Sequence, residues 1–270
     1  MNIIIKNFSL AQIADSGQCF RMEMQPDKSC VLAARDKALK IIPLGGDEYD
    51  FNCTTAQFDG YWKGYFDLEA DYQKWMQSVP KSDAFLTKAA EYGKGLRILR
   101  QDAWEMLVTF LISQRKNIPA IKKCVNAISE KFGTKIDGTD MYAFPTPQQL
   151  ASDYALLGTC SLGYRTQYVY EAAVSVCDGT IDLKAMASLD DDALFAQLLK
   201  IKGVGAKVAN CVMLFGFHRI NAFPIDVWIQ RILDAHYQAG FPLDAYKGYA
   251  GVIQQYMFYY ARSEEYAAGM

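Results

Sequence analysis

The sequence predicts an α+β protein in which a small antiparallel β-sheet domain precedes a larger helical domain. Two observations carry this prediction. Short apolar runs separated by turn signals occupy the first part of the 270-residue chain, and apolar residues recur at helical spacing through most of the remainder. We therefore expect a sheet domain over residues 1–75, with the sheet ending near residue 75, and a helical domain over residues 76–270.

Four short runs in the first part, made mostly of apolar residues, are candidate strands. They cover residues 3–5, 19–22, 31–33 and 39–42. Turn signals lie between or after them, as Gln-Pro-Asp at residues 25–27 and Gly-Gly-Asp at residues 45–47. Because the runs are short and closely spaced, they favour antiparallel pairing.

The helical elements are predicted from periodicity and from capping residues. Residues 103–113 are apolar and long for a strand, and residues 117–131 carry apolar side chains at helical spacing. Thr146 is a candidate N-cap, with Pro147 at the first helical position and Gln149 three residues after the cap. Further helices are predicted over residues 164–177, stopping at Gly179, and from about residue 244 to 262.

Composition narrows the class of protein. Half of the residues are apolar, which is enough for a substantial core, and no run approaches the length of a membrane span. We expect an intracellular monomer, in the cytoplasm or nucleoid if the source is prokaryotic. Seven irregularly spaced cysteines argue against a disulfide framework or an iron–sulfur loop, and only two histidines argue against zinc.

The net charge of −2 is not typical of a nucleic-acid-binding protein, but the charges are unevenly distributed. Residues 94–123 contain seven basic residues and two acidic ones, whereas residues 47–71 are acidic. The sequence therefore predicts that DNA would meet the helical part.

The strongest local signal is a glycine hairpin followed by a lysine and an aspartate. Gly203 and Gly205 allow a tight turn, Lys207 follows them closely, and Asp226 comes nineteen residues later, behind Pro224. A helix that starts near Gly205 presents unpaired amides, which bind a phosphate without basic side chains. The motif thus combines a DNA-backbone clamp with an amine and a carboxylate.

The amine and the carboxylate suit different roles. A lysine with the usual pKa of about 10.4 is neutral in fewer than roughly one molecule per thousand at pH 7, so burial must help Lys207 act as a nucleophile. A nearby anion favours the ammonium form, so Asp226 is a better stabiliser of positive charge on a sugar than a partner for the amine. Asp226 is also a good N-cap.

The chain resembles the helix-hairpin-helix DNA glycosylases, and within them the 8-oxoguanine DNA glycosylases. The hairpin, Lys207 and Asp226 carry the first resemblance. The second rests on Ser-Gly-Gln-Cys-Phe-Arg at residues 16–21, Leu-Gly-Tyr-Arg at 162–165, Phe-Pro-Thr-Pro at 144–147, and the spacing of Gln254 and Phe258. It implies a β-sheet domain packed on a helical domain with a cleft between helical lobes.

The resemblance implies base excision repair of DNA damage. The expected reaction removes 8-oxoguanine from duplex DNA through a Lys207 Schiff base, which then allows β-elimination at the abasic site, the AP lyase step. No cofactor is expected. By resemblance, Phe258 and Cys211 sandwich the damaged base, Gln254 bonds its pairing edge, and the Gly17 carbonyl accepts a hydrogen bond from the lesion.

Other residues are predicted to contact DNA. Tyr164 resembles the wedge that fills the gap left by the extruded nucleotide. The remaining predicted DNA contacts are Gln114, Arg115, Lys116, Asn117, Arg165, Gly203, Val204 and Gly205. The resemblance also makes the carbonyls of Leu199, Ile201 and Val204 a candidate site for a monovalent or divalent cation.

The chain departs from the family pattern where the opposite base is read. Arg115 stands in place of an asparagine, and Ala120 in place of an arginine, although Arg165 keeps its match. Asn210 stands where an aspartate is usual, and Trp228 where a histidine is usual. We therefore expect a relaxed preference for the base opposite the lesion.

Two alternative functions stay open from the sequence. An alkylated-purine glycosylase shares the two-domain plan, but it uses water and lacks the lysine. A non-catalytic hairpin module would only bind DNA, with Lys207 solvated or touching a phosphate. Cys211 and Phe258 are also compatible with an ordinary apolar core.

Overall fold

The computed structural model describes residues 1–268, and within them the strands form one five-stranded sheet. The strands are β1 (Asn2–Ile4), β2 (Met22–Met24), β3 (Cys30–Ala34), β4 (Lys37–Gly45) and β5 (Glu48–Phe51). Their order is β1-β5-β4-β3-β2, and all neighbours are antiparallel. The predicted antiparallel sheet is confirmed.

Two details of the predicted sheet are wrong. Residues 19–21 are not a strand, because the chain runs there as a buried loop and β2 begins only at Met22. The sheet ends at Phe51, well before residue 75. Short helices lie in the same part of the chain: α1 (Leu10–Asp15), α2 (Thr55–Gln57), a π-helical turn (Phe58–Trp62), α3 (Lys63–Tyr65) and α4 (Tyr72–Gln77). Residues of α1, the π-helical turn and α3 share one core with the aromatic side chains of the sheet, whereas Tyr72 of α4 packs in the helical part.

The rest of the described chain is helical and surrounds a second, larger core. Its helices are α5 (Ala84–Tyr92), α6 (Ala103–Ser113), α7 (Ile118–Phe132), α8 (Pro147–Ala151), α9 (Tyr154–Gly158), α10 (Arg165–Cys177), α11 (Leu183–Met186), α12 (Asp191–Leu199), α13 (Ala206–Phe215), α14 (Val227–His236), α15 (Ala250–Ala261) and α16 (Glu264–Ala268). Helix α6 is buried from Trp104 to Ile112, which explains why that span is apolar on every face except at Glu105 and Thr109.

The capping residues behave as the sequence predicts at α8. Thr146 caps this helix, Pro147 begins it, and Gln149 completes a capping box. The predicted helix over residues 244–262 is wrong at its start. Gly248 adopts a φ of +95°, and this separates a 3-10 turn (Leu243–Tyr246) from α15.

Gln18 fastens the sheet part to the helical part. Its buried amide donates to Arg97 O at 2.7 Å and accepts from Leu99 N at 2.9 Å. Nearby, Arg21 pairs with the buried Glu105 on α6 at 3.4 Å. These contacts hold the loop that carries Gly17 beside the helices. Within residues 1–268, every helix is too short or too polar to cross a membrane.

Candidate active site and DNA interface

An open cleft of about 990 Å³ gathers residues from distant parts of the sequence. Gly17 comes from the loop after α1, Lys207 from the first turn of α13, Asp226 from the start of α14, and Phe258 from α15. Residues 114–117, the turn between α6 and α7, line the same cleft. The candidate catalytic pair and part of the candidate base pocket therefore face the same space.

The glycine hairpin joins α12 to α13 and places the start of α13 beside the cleft. Gly203 has a φ of +86°, and a Cβ built on it would lie 2.6 Å from Tyr168, so both the conformation and the packing require glycine. Gly205 has extended backbone instead, with a φ of −98°. It is the N-cap of α13 and provides no side-chain cap bond, so the first amides of α13 are open to a phosphate.

Val204 contributes less to the surface than the sequence suggests. Its side chain is buried in the larger core, and its amide donates to Ile201 O at 2.9 Å. The carbonyl of Ile201, one of the three candidate cation ligands, is therefore already an acceptor. No group of three or more His, Cys, Asp or Glu residues within residues 1–268 is arranged to hold a metal ion.

Lys207 is half-buried, and its Nζ lies 5.2 Å from the centroid of the Phe110 ring. Within residues 1–268, Nζ has no carboxylate oxygen within 4.0 Å, so it forms no ion pair with Asp226. Burial raises the pKa of the Cys211 thiol, one helical turn further on, although Lys207 opposes this shift. The thiol therefore stays protonated near neutral pH.

Asp226 caps α14 and is held in place by that cap. Its Oδ1 accepts from Trp228 N at 3.0 Å and from Ile229 N at 2.9 Å. Both cap bonds use Oδ1, so Oδ2 is not engaged by the cap. Capping and charge stabilisation are therefore compatible in one carboxylate.

Gly17 and Phe258 lie in contact at one end of the cleft. Gly17 has a φ of +74°, and a Cβ built on it would lie 3.2 Å from Phe258 Cε1 and 3.3 Å from Ile118 Cδ1. The main chain of Gly17 thus lies against the Phe258 ring with little room for a side chain. This close approach fits a recognition site built from a carbonyl and an aromatic face.

The structure places the other two candidate base-pocket residues behind the cleft wall. Cys211 and Gln254 are each 3% exposed. The Gln254 amide already donates to Pro224 O at 3.0 Å and accepts from Gln255 at 3.0 Å. These bonds leave one Nε2 hydrogen and one Oε1 lone pair, but the side chain is buried, so a base would reach Gln254 only if the cleft wall moved.

Residues 114–117 are engaged differently from one another. Gln114 Nε2 donates to Gly203 O at 3.1 Å and so links this turn to the hairpin. Lys116 donates to Ser161 O at 3.1 Å, and Asn117 caps α7 by accepting from Ala120 N at 3.0 Å. Arg115 is exposed and has a φ of +53°. The other three residues use their side chains in these bonds, so Arg115 is the candidate DNA contact in this turn whose side chain is exposed and not engaged in them.

Arg165 is engaged inside the protein rather than exposed for a base contact. It is 6% exposed and donates to the carbonyls of Leu162 and Gln114. Its guanidinium lies 4.3 Å from the ring centroid of Tyr164, which is itself 53% exposed. Tyr164 is therefore accessible as a wedge, whereas Arg165 braces the turn beneath it.

Most of the basic side chains in residues 94–123 form contacts within the protein. The positive charge of this stretch therefore marks the DNA-binding surface less well than the sequence suggests. Arg97 is buried over Tyr72, and Arg100 binds Asp67. The stretch reaches the cleft with Arg115 and Lys116. Arg231 and Arg262 also line the cleft, although the sequence did not indicate them. Trp228, which stands where a histidine is usual, lines the cleft with them. The spacing of Arg231 after Asp226 was the signal that could have found it.

The arrangement of hairpin, lysine and capping aspartate defines the class as a helix-hairpin-helix DNA glycosylase. Residues 1–107 match the family model of the 8-oxoguanine DNA glycosylase N-terminal domain. The solved MBOgg1 structure, a complex with a low-affinity DNA ligand, is 35% identical, with a TM-score of 0.91 over 100% of this chain and 96% of that one. The chain belongs to the 8-oxoguanine DNA glycosylase family.

Other relatives agree with this membership. The 8-oxoguanine glycosylase/lyase of Clostridium acetobutylicum, solved with DNA containing cytosine opposite 8-oxoG, is 34% identical over 97% of each chain, with a TM-score of 0.89. The N-glycosylase/DNA lyase of Saccharomyces cerevisiae is 34% identical over 64% of this chain, and the match spans half of the yeast protein. A 3-methyladenine DNA-glycosylase from Archaeoglobus fulgidus shares the fold alone, at 16% identity and a TM-score of 0.76.

Proposed function

We propose that this protein is a bifunctional DNA N-glycosylase and AP lyase that removes 8-oxoguanine from duplex DNA, with Lys207 as the nucleophile. One observation carries the proposal: Lys207, Asp226, Gly17 and Phe258 line a single cleft. The family membership supports the substrate and both activities. The working partner is duplex DNA, and we propose that the protein acts as an intracellular monomer.

The first step is binding of DNA with the damaged nucleotide extruded from the stack. A base inside a duplex is out of reach of any side chain, so it must be flipped. The open start of α13 binds a phosphate, and Tyr164 occupies the gap in the stack. The flipped base then reaches Phe258 and the main chain of Gly17.

Cleavage of the glycosidic bond leaves positive charge on the deoxyribose. A carboxylate about 4 Å away, at an effective dielectric of about 20, stabilises that charge by around 4 kcal/mol, or roughly three decades in rate. Asp226 is fixed by its cap bonds, so it provides this field without reorganising. The electron pair of the broken C1′–N9 bond leaves with the base.

Lys207 then forms a bond from Nζ to C1′. Loss of a proton from nitrogen and opening of the sugar ring give a Schiff base, which acidifies the C2′ hydrogen and permits β-elimination of the 3′ phosphate. Lysine is the residue that separates this chemistry from the alternatives. An alkylated-purine glycosylase that uses water, or a module that only binds DNA, forms no such covalent intermediate.

Borohydride trapping tests the proposal. We expect covalent trapping on a duplex containing 8-oxoguanine, and none on undamaged duplex. Lys207→Gln should abolish trapping and lower excision by orders of magnitude while specific DNA binding persists. Lys202→Gln is the matched control, because Lys202 lies in the same hairpin but pairs with Glu171 at 2.8 Å. Excision at the wild-type rate by folded Lys207→Gln protein would refute the assignment.

A further inference from the structure

Arg262 bridges the two segments that carry Gly17 and Phe258. It follows α15 as its C-cap residue, one turn after Phe258, and its Cζ lies 5.3 Å from the Phe258 ring centroid. Its Nη1 donates to Asp15 O at 2.7 Å, across 247 residues of sequence. Asp15 is the last residue of α1 and stands two residues before Gly17.

The main contact of Arg262 is with main chain, not with a carboxylate. The bond to Asp15 O is short, whereas Nη2 lies 3.4 Å from Asp15 Oδ1, and the Asp15 side chain is 63% exposed. An exposed ion pair of this length contributes little. The Arg262 side chain itself is only 22% exposed, so its guanidinium is fitted between the Phe258 ring and the end of α1.

In the proposed function, recognition of 8-oxoguanine depends on the distance between Gly17 and the Phe258 ring, the two groups whose segments Arg262 joins. The Gly17 carbonyl must reach the N7 hydrogen of 8-oxoguanine while Phe258 covers the face of the same base. Guanine has a lone pair at N7, so a carbonyl at hydrogen-bond distance favours the lesion and disfavours guanine. A looser spacing would weaken both effects.

We propose that Arg262 is a positioning residue for lesion recognition, which fixes the main chain before Gly17 against the Phe258 ring. The inference rests on the proposed function, and it assigns Arg262 no contact with the reacting atoms. Its planar fork suits the role, because one face covers an aromatic ring while an edge donates to a carbonyl. A lysine would keep the charge but lose this geometry.

The simplest competing role is a phosphate contact, since Arg262 also lines the cleft. Binding measurements in the Lys207→Gln background separate the two roles, because that variant leaves the lesion intact. We would measure Kd by fluorescence anisotropy for duplexes with 8-oxoguanine, guanine or a tetrahydrofuran abasic analogue opposite cytosine. The abasic duplex uses the backbone contacts but has no base to recognise.

Positioning predicts that Arg262→Ala lowers the preference for 8-oxoguanine over guanine about tenfold, the size of one charge-assisted hydrogen bond. Affinity for the abasic duplex should stay within about twofold. Arg262→Lys should lose the preference for 8-oxoguanine as well. If a melting test shows that Arg262→Ala does not fold, Arg262→Lys distinguishes positioning from a phosphate contact. Asp15→Asn keeps the main-chain acceptor, so its preference should be unchanged.

Two results would overturn the inference. One is an equal loss of affinity for all three duplexes with full recovery in Arg262→Lys, which indicates a phosphate contact. The other is an unchanged preference in folded Arg262→Ala and Arg262→Lys proteins. If the parent Lys207→Gln protein itself shows no preference for 8-oxoguanine, the proposed function is what fails.

Discussion

Gly17 shows how much a single residue can decide at this site. A left-handed backbone costs a residue with a Cβ about 1–2 kcal/mol. At Gly17 the added carbon would also press on Phe258 and Ile118, at 3.2 and 3.3 Å. The strain lowers stability, whereas the contact displaces the ring that is proposed to cover the lesion.

We predict that Gly17→Ala reduces excision of 8-oxoguanine more than it reduces affinity for DNA. Gly138→Ala is the matched control, because Gly138 has a φ of +72° but open space around its Cβ position. It should lose comparable stability and keep its excision rate. Single-turnover kinetics, anisotropy and melting curves measure the three quantities. Full activity and selectivity in Gly17→Ala would reject the placement of Gly17 at the lesion.

The spacing of residues in the sequence predicted well which residues lie at the cleft. It predicted the hydrogen-bond partners of their side chains less well. Lys207, Asp226, Gly17 and Phe258 do share the cleft. The hydrogen bond from Gln254 to Pro224 O could not be predicted from the sequence, because it depends on how a loop folds back on α15. Side-chain direction at such positions is set by tertiary packing, which a pattern of residue types does not encode.

At the scale of elements, the N-cap residue of α14, Asp226, is also the proposed source of negative charge at the cleft. We predict that Asp226→Asn loses about two to three decades in excision rate, with the Coulomb figure as an upper guide. The helix should lose little stability, because asparagine caps about as well as aspartate. The control is Asp190→Asn at the cap of α12, where the carboxylate accepts from Ala193 N at 2.8 Å. Single-turnover rates that do not change in Asp226→Asn would remove Asp226 from the mechanism.

The turn between α6 and α7 carries the prediction about the opposite base. The side chain of Ala120 cannot donate a hydrogen bond, and Arg165 is occupied by the carbonyls of Leu162 and Gln114. One direct base contact, from Arg115, would discriminate by only about 1–3 kcal/mol. We predict excision opposite A, G or T within roughly tenfold to a hundredfold of that opposite C.

Single-turnover rates on the four duplexes measure this preference, with Arg115→Ala as the paired variant. A thousandfold preference for cytosine would mean that a side chain moves to recognise cytosine when DNA binds. The most direct candidate is Arg165, after it releases the carbonyls of Leu162 and Gln114. Loss of that preference in Arg115→Ala would assign the reading to Arg115 instead.

The sequence predicted elements well where the signal is local. The cap at Thr146 and the buried helix α6 each depend on a few adjacent residues, and both are confirmed. The error at residues 19–21 has a different origin. Cys19 and Phe20 are apolar because the loop is buried against the helical part, where Phe20 packs on Phe110. Burial without strand pairing leaves the same pattern in the sequence as a strand does.

At the scale of the whole molecule, a cluster around Asp67 joins the sheet part to the helices. Asp67 is 3% exposed and accepts from Tyr72 Oη at 2.9 Å and from Arg100 Nη2 at 2.8 Å. His218, in the loop after α13, places Nε2 3.3 Å from the same carboxylate. Arg97 adds a further positive charge over the Tyr72 ring.

This cluster predicts a pH dependence of folding stability. Burial alone would raise the pKa of Asp67, but His218 and Arg100 outweigh it and hold the pKa below its ordinary value. A carboxylate with a lowered pKa in the folded state stabilises that state above its unfolded pKa of about 3.9. The contribution is lost as the pH falls from there through the folded pKa.

We predict that Asp67→Asn lowers the free energy of unfolding at pH 7 by about 1.5–3 kcal/mol, as expected for hydrogen bonds to a charged group. Asparagine tolerates the left-handed backbone at this position, where φ is +51°, so the loss reports the charge rather than strain. Urea denaturation at several pH values should show the gap between wild type and variant closing below about pH 4, because protonated Asp67 resembles asparagine. The exposed Asp47→Asn should show no such gap. A difference that stays constant down to pH 2.5 would mean that the carboxylate charge does not hold the two parts together.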